Sequence, residues 1–225
     1  MDRPFVAYAV ALPVALVAYR LLPEPPGERD ARGLGHFGRV LSALAPREAT
    51  VFYGSAFAVE LLLFGGVITA LPFLLWSAFG LSALEIGAVV TIAEVASAVA
   101  ASQNGRAARR VSNYGIVGAG FGSAGVGLLG IGLAPSAIAV AVAALVVAAG
   151  WGLVLPSVDD ALSERVPARF RAGALSLRNS TTFLGRATGP VLFAGLAATS
   201  GYRILLLGAG VAALACGALA IALAR

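Results

Sequence analysis

The sequence predicts an all-α polytopic membrane protein with seven transmembrane helices, a single helix followed by six more. Three observations predict it. The 225 residues are 59% hydrophobic and only 12% charged, and the mean hydropathy is +0.90, far from the composition of a soluble domain. Apolar runs of about twenty residues recur along the whole chain, the length a helix needs to cross a bilayer core. Arginines collect in alternate loops between those runs, as the positive-inside rule requires. A transmembrane barrel would instead alternate apolar and polar residues in ten-residue strands, and no such pattern is present.

Residues 5–22 form the first apolar span, preceded by Arg3. A signal peptide is the competing reading, but Leu16 makes a poor cleavage context and the next loop is strongly basic. That loop, residues 23–49, carries Arg29, Arg32, Arg39 and Arg47 among prolines and glycines. It reads as a cytoplasmic linker between membrane units. The domain division expected is therefore a single helix (1–22), a linker (23–49) and a six-helix unit (50–225).

The second helix is expected over residues 50–76, with Glu60 near its middle, Pro72 near its end and Trp76 at interface depth. Residues 82–102 form the third, where Thr91, Glu94, Ser97 and Ala98 share one face at helical spacing. A short basic loop, QNGRAARRVSN, follows over residues 103–113. The fourth helix, 114–133, is dense in glycine; Gly118 with Gly122, and Ser123 with Gly127, are small pairs four apart that let helices approach closely. After the tight turn Ala134-Pro135-Ser136 come helices over 137–158, 174–199 and 203–223. The loops after the first, third and fifth helices are arginine-rich, while the turns at 79–83 and 134–136 have no basic residue and the turn at 200–203 has one. This places the basic loops and Arg225 in the cytoplasm and the amino terminus outside.

Composition also excludes functions. The sequence pI is about 10.1, yet the arginines lie in short loops and form no basic face with interleaved aromatics, so nucleic acid is not an expected partner. There is no lysine, which removes a retinal Schiff base. The single histidine, His36, lies in a polar loop far from any metal-ligand or hydrolase spacing, so no metal, no cofactor and no enzymatic activity are expected. The single cysteine, Cys216, permits no disulfide framework.

Charges inside apolar helices cost several kcal/mol and mark a partner, a cavity or a bundle interior. Glu60, Glu94 and Arg186 are such residues. The glutamates are read as cavity carboxylates or as groups satisfied by local partners. Arg186 is read as a pathway residue, as a snorkelling side chain, or as a structural pair for another half of the protein. Asp159 and Asp160 read as solvating a helix end. Trp151, between Gly150 and Gly152, is read as packing or as an aromatic platform on the pathway.

Residues 53–110, with a Leu-Pro helix end, a Gly-Leu-Ser loop, an Ile-Gly entry and a Gly-Arg-rich loop, resemble the seventh and eighth helices of a major facilitator superfamily transporter. GRATGPVLFAG, with Gly185, Gly189, Pro190 and Gly195, resembles that family's eleventh helix, and PARFRAGALSL matches the basic segment before it. The chain as a whole is similar to the sixth helix, central loop and second half of such a transporter. The resemblance implies two inverted three-helix repeats, with helices two to four answering five to seven. It also implies that the first helix of each repeat lines a substrate cavity, the second flanks it and the third faces outward. Gly105, Arg106, Arg109 and Arg110 then fall on the gating-loop motif, and Gly185, Gly189 and Pro190 on a packing motif. In GRAARR, Arg109 stands where the family usually has aspartate, which puts the gating ion pair of that position in doubt.

The function implied is secondary active transport of a small solute by alternating access across the plasma membrane, with proton-coupled efflux as one form of it. Glu60, Glu94, Arg186 and Trp151 are the expected pathway residues. The alternative is a truncated or split half-transporter serving as a non-transporting membrane accessory subunit. A seven-helix receptor is disfavoured by the long basic loop. The partners expected are a solute, protons, the bilayer, and an amino-terminal half or another membrane subunit.

Overall fold

The computed structural model describes residues 11–21 and 34–224, and every regular element among them is helical. Helix α1 (Ala11–Leu21) forms part of a unit separate from the rest of the chain, Phe37–Arg225. It is the described part of the expected first span; residues 5–10 and 22 lie outside the described residues. Within the expected linker, residues 34–42 form α2 (Leu34–Ser42), and residues 23–33 lie outside the described set. Val40 and Leu44 from this stretch are buried in the core of the larger unit.

Helix α3 (Pro46–Leu62) begins four residues before the expected start. Pro46 occupies a first-turn position, where its missing N–H costs nothing, and Glu48 accepts a hydrogen bond from the Ala45 N–H at 3.2 Å. The helix runs on through a π-helical stretch, Leu63–Ala70, into α4 (Leu71–Phe79). Pro72 cannot donate to the carbonyl one turn below it, and widening the preceding turns is one way a helix absorbs that loss. Thr69 Oγ1 donates to the Phe64 carbonyl at 2.7 Å, satisfying one of the carbonyls in the widened segment.

Helix α5 (Ala83–Ser102) is started by a reciprocal cap: Glu85 Oε2 accepts from the Ser82 N–H at 2.8 Å, and Ser82 Oγ accepts from the Glu85 N–H at 3.4 Å. A single turn, α6 (Asn104–Ala108), leads to α7 (Asn113–Leu133), which Ser112 caps. Helix α8 (Ala137–Arg165) extends beyond the expected end because Val158, Ala161 and Leu162 continue its buried face through the acidic segment.

The last element, α9 (Ala168–Ala222), has helical hydrogen bonding over 55 residues but is two helices, broken at Gly201 with φ 77° and ψ 159°. Unbroken it would be about 80 Å long, far more than a bilayer core of about 30 Å. That backbone region is accessible almost solely to glycine. Gly201→Ala is expected to destabilise the fold by about 1–3 kcal/mol. Denaturant unfolding in lipid nanodiscs checks it; an unchanged midpoint would show that the break does not depend on this residue.

Five described helical segments are long and apolar enough to cross a membrane: Pro46–Phe79, Ala83–Ala108, Asn113–Leu133, Ala137–Arg165 and Ala168–Ala222. Helix α7 packs against α8 and α9, α3 and the π-helical stretch pack against α9, and α5 leans on α8. The glycines of α7 sort onto two faces. Added Cβ atoms at Gly118, Gly125 and Gly132 would strike the second arm of α9, and those at Gly120 and Gly127 would strike α8. The pairing expected for Gly118 with Gly122 differs, because a Cβ at Gly122 meets nothing. Ser123 does face α8, donating to the Val146 carbonyl at 3.0 Å. Of α7's apolar window 61% is buried in the bundle, against 6% for α5. Small residues on two faces let α7 sit between two neighbours, whereas in α5 only Ala93 is buried.

Candidate functional site

The first arm of α9 comes unusually close to α3. A Cβ at Gly185 would lie 2.5 Å from the Phe57 carbonyl oxygen, and one at Gly189 would lie 2.6 Å from that of Leu61. These two glycines, four apart, bring the backbones together and set Arg186 opposite Glu60. The guanidinium donates through Nε to Oε2 at 2.8 Å and through a terminal nitrogen to Oε1 at 3.0 Å. This two-pronged geometry is the strong form of a carboxylate–arginine contact. The Glu60 residue is 1% exposed, while the Arg186 side chain is 42% exposed. The guanidinium lies over the rings of Phe64 at 5.0 Å and Phe183 at 5.4 Å, so aromatic faces cover part of what Glu60 leaves open. Pro190 has no N–H to offer the Arg186 carbonyl one turn below.

A cavity of about 200 Å³ lies between α3 with its π-helical stretch, α5 and α8. Val59, Leu63, Val67, Val147 and Leu155 supply apolar wall, and Glu60, Glu94, Ser97 and Trp151 supply polar atoms. Three of the four expected pathway residues therefore meet here. Arg186 is not part of the cavity wall; it holds Glu60 from the α9 side. Of the polar stripe expected on α5, Glu94 and Ser97 reach the cavity, whereas Thr91 turns its hydroxyl onto the Gly87 carbonyl at 2.7 Å. Glu94 is exposed on the open side, on the helix with the least buried surface.

Trp151 is held by the glycines beside it. A Cβ at Gly150 would lie 2.4 Å from the Gly120 carbonyl oxygen, and one at Gly152 would lie 2.2 Å from that of Ser97. Helix α8 is thus pressed onto α7 and α5 at residues two apart, and Trp151 between them lines the cavity. Trp151 is 5% exposed. Its Nε1 is the one buried side-chain nitrogen or oxygen among the described residues without a hydrogen-bond partner. An unmet buried donor costs about 1–3 kcal/mol and is a reason to look for a ligand.

The expected gating-loop residues lie elsewhere. Gly105 and Arg106 are in α6, Arg109 and Arg110 follow it, and all four are exposed. Arg106 donates to Gln103 Oε1. What anchors this end of the bundle is a set of pairs that sequence reasoning missed. Ser157 Oγ donates to Asn104 Oδ1 at 2.7 Å, both residues being buried. Arg178 engages both oxygens of Asp159, joining α9 to α8. Arg165 meets Glu48 at 3.2 Å and lies over Phe52 and Tyr114. At the opposite end, Arg203 donates to the Gly132 and Ala134 carbonyls at 3.2 and 2.9 Å. A cation at a helix carboxy terminus is favourable there, which accounts for the one arginine in an otherwise uncharged turn. Among the described residues no group of three His, Cys, Asp or Glu could hold a metal ion.

A sequence model of the Major Facilitator Superfamily matches residues 53–225, which includes Glu60, Arg186 and the whole cavity wall. The chain belongs to that family. Comparison with curated proteins finds no match. Membership of the Major Facilitator Superfamily, together with the long apolar helices, makes the chain an integral membrane protein of a family that moves small solutes across membranes. This is a family of transporters, not of enzymes.

Proposed function

We propose that residues 50–225 form one half-bundle of a secondary active transporter, which carries a small solute by alternating access past the cavity of Glu60, Glu94 and Trp151. The observation that carries the reading is that cavity's position. Polar groups in the middle of apolar helices border a helix, α5, whose outer face is bare: Leu84, Ile92, Val95 and Val99 are all exposed. The exposed Glu94 carboxylate beside such a face is costly in lipid. A second bundle covering α5 would enclose it. In this reading α3 to α7 and α8 to α9 are the two inverted repeats, with α5 and the first arm of α9 in corresponding places. Glu94 and Arg186 then sit on equivalent helices. The arginine-rich end carrying α6 faces the cytoplasm of a plasma membrane, and Gly105, Arg106, Arg109 and Arg110 lie at the mouth of the pathway on that side.

Reconstitution tests the proposal. The polypeptide of 225 residues in proteoliposomes is expected to show no saturable solute flux, and to show it when a complementary bundle covers α5. Saturable flux from the purified monomer would overturn the half-bundle reading. Flux in neither preparation would favour a membrane accessory subunit, which would use the bare face of α5 for assembly alone.

A further inference from the structure

A groove of about 160 Å³ runs between the first turns of α3 and the end of the second arm of α9, and it shares no lining residue with the Glu60 cavity. Val51, Gly54 and Ala58 line it from α3, and Cys216, Leu219 and Ala220 from α9. Thr50 and Ser55 add two hydroxyls, and Thr50 spends its own on the Pro46 carbonyl at 2.9 Å. Small side chains make the hollow: a Cβ at Gly54 would meet nothing within 4 Å. Two long apolar helices end beside it, since α3 begins at Pro46 and α9 finishes at Ala222. The α3 wall therefore starts one turn inside the helix and runs about 12 Å along its axis. A lipid headgroup stands at the level of such helix ends, and its acyl chain at the level of the groove. Arg47, Val51, Gly54 and Ala58 recur at helical spacing on one face of α3, so Arg47 sits one turn outside the groove on the stripe that lines it. Arg47 is exposed, with neither ion pair nor hydrogen bond among the described residues. The neighbouring Glu48 does not neutralise it, being held by Arg165 at 3.2 Å and by the Ala45 N–H.

We propose that this groove holds an acyl chain of an anionic phospholipid whose phosphate is paired by Arg47. Each feature takes one part of such a molecule. The apolar walls receive a chain but give no grip on a headgroup. The unpaired guanidinium one turn beyond them is placed for a phosphate at the interface, which long basic side chains at helix ends reach. A zwitterionic lipid brings its own cation to that phosphate and gains less from Arg47. Headgroup preference thus comes from Arg47, and residence comes from the groove. A chain seated there bridges α3 and the second arm of α9. The site is separate from the solute cavity and stands whether or not the chain transports.

The test is photo-crosslinking of the full chain in phosphatidylcholine nanodiscs. These carry a trace of phosphatidylglycerol or phosphatidylcholine bearing the same diazirine-labelled acyl chain, and labelled peptides are mapped by mass spectrometry. Phosphatidylglycerol is expected to label residues 50–58 and 216–220 about fivefold more than phosphatidylcholine, as one basic residue near the surface allows. Arg47→Ala should bring the two lipids level, and Arg47→Lys should keep the preference because a point charge suffices. Gly54→Leu should cut groove labelling by both lipids about tenfold on the order of simple steric exclusion, since its side chain takes the chain's place. Gly208→Leu adds the same bulk at another glycine whose Cβ would meet nothing within 4 Å, and should leave labelling unchanged. Arg171→Ala removes a different exposed arginine and should keep the preference. Equal labelling by the two lipids in wild type, a loss in Arg171→Ala matching that in Arg47→Ala, or undiminished groove labelling in Gly54→Leu would overturn the assignment. A headgroup preference spread evenly over all the helices would do the same. If Gly54→Leu fails to assemble, the two Arg47 variants still decide, because they change only an exposed side chain.

Discussion

Arg186→Ala is expected to destabilise the bundle by roughly 3 kcal/mol, the largest effect of any charge removal among the described residues. Removing one partner of a buried ion pair leaves the other charged and unsatisfied, which typically costs about 3–5 kcal/mol. The lower end applies because the Arg186 side chain is 42% exposed, although Glu60 is only 1% exposed. Both carboxylate oxygens would lose their donors at once, beside the apolar Val59, Leu63 and Val67 of the same continuous helix. Arg186→Lys keeps the charge but not the fork, and should fall between wild type and alanine. The double variant Glu60→Leu with Arg186→Leu removes the charge and the need for it together, and should recover most of the loss. Denaturant unfolding of the four proteins in nanodiscs decides the matter. If Arg186→Ala matches wild type, or the double variant is worse than either single one, the pair is not what holds α3 to α9.

Gly152→Ala is expected to separate α5 from α8 and so dismantle the cavity. The added Cβ would lie 2.2 Å from the Ser97 carbonyl oxygen, a backbone atom that cannot rotate away as a side-chain tip could. Overpacking of this kind costs about 1–3 kcal/mol in a well-packed site. The consequence here is larger than the energy suggests, because α5 has only Ala93 buried and leans chiefly on α8. A helix with so little surface committed has little else to hold it in place. Gly122→Ala is the control: its Cβ would meet nothing within 4 Å, and alanine is better than glycine inside a helix by about 0.5–1 kcal/mol. Cysteines placed on the facing turns of α5 and α8 should cross-link in wild type and in Gly122→Ala, and fail to do so in Gly152→Ala. Undiminished cross-linking in the last would mean that the contact relaxes without moving the helix.

Much of the site was legible in the residues, and the parts that were not share a cause. Glu60, Glu94 and Arg186 stood out because charge is conspicuous in apolar helices. Trp151 stood out less, and what marks it, an indole N–H without a partner between two backbone contacts, exists only when three helices are assembled. The π-helical stretch Leu63–Ala70 left a faint trace in Gly65, Gly66, Thr69 and Pro72, none of which separates it from an ordinary helix end. The helical start at residues 34–42 was hidden by a polar composition that reads equally as loop. Asp159 reads as solvating a helix end because a polar residue near a helix terminus usually does, and its partner Arg178 is reached only when α9 packs on α8.

Membrane residence, the placement of the long apolar helices and the alternation of basic and uncharged turns were determined by the sequence alone. Each depends on local hydropathy, helix length and loop charge, quantities that sum over neighbouring residues. The partner of Glu60, by contrast, stands 126 residues away in Arg186. No local pattern selects it over snorkelling or a partner in another bundle. The tertiary structure decides it through the missing side chains of Gly185 and Gly189, which allow α9 to approach α3 at the register that sets Arg186 against Glu60. The same close packing at Gly150 and Gly152 sets Trp151 in the cavity wall, and Arg186, by occupying Glu60, leaves Glu94 as the free carboxylate.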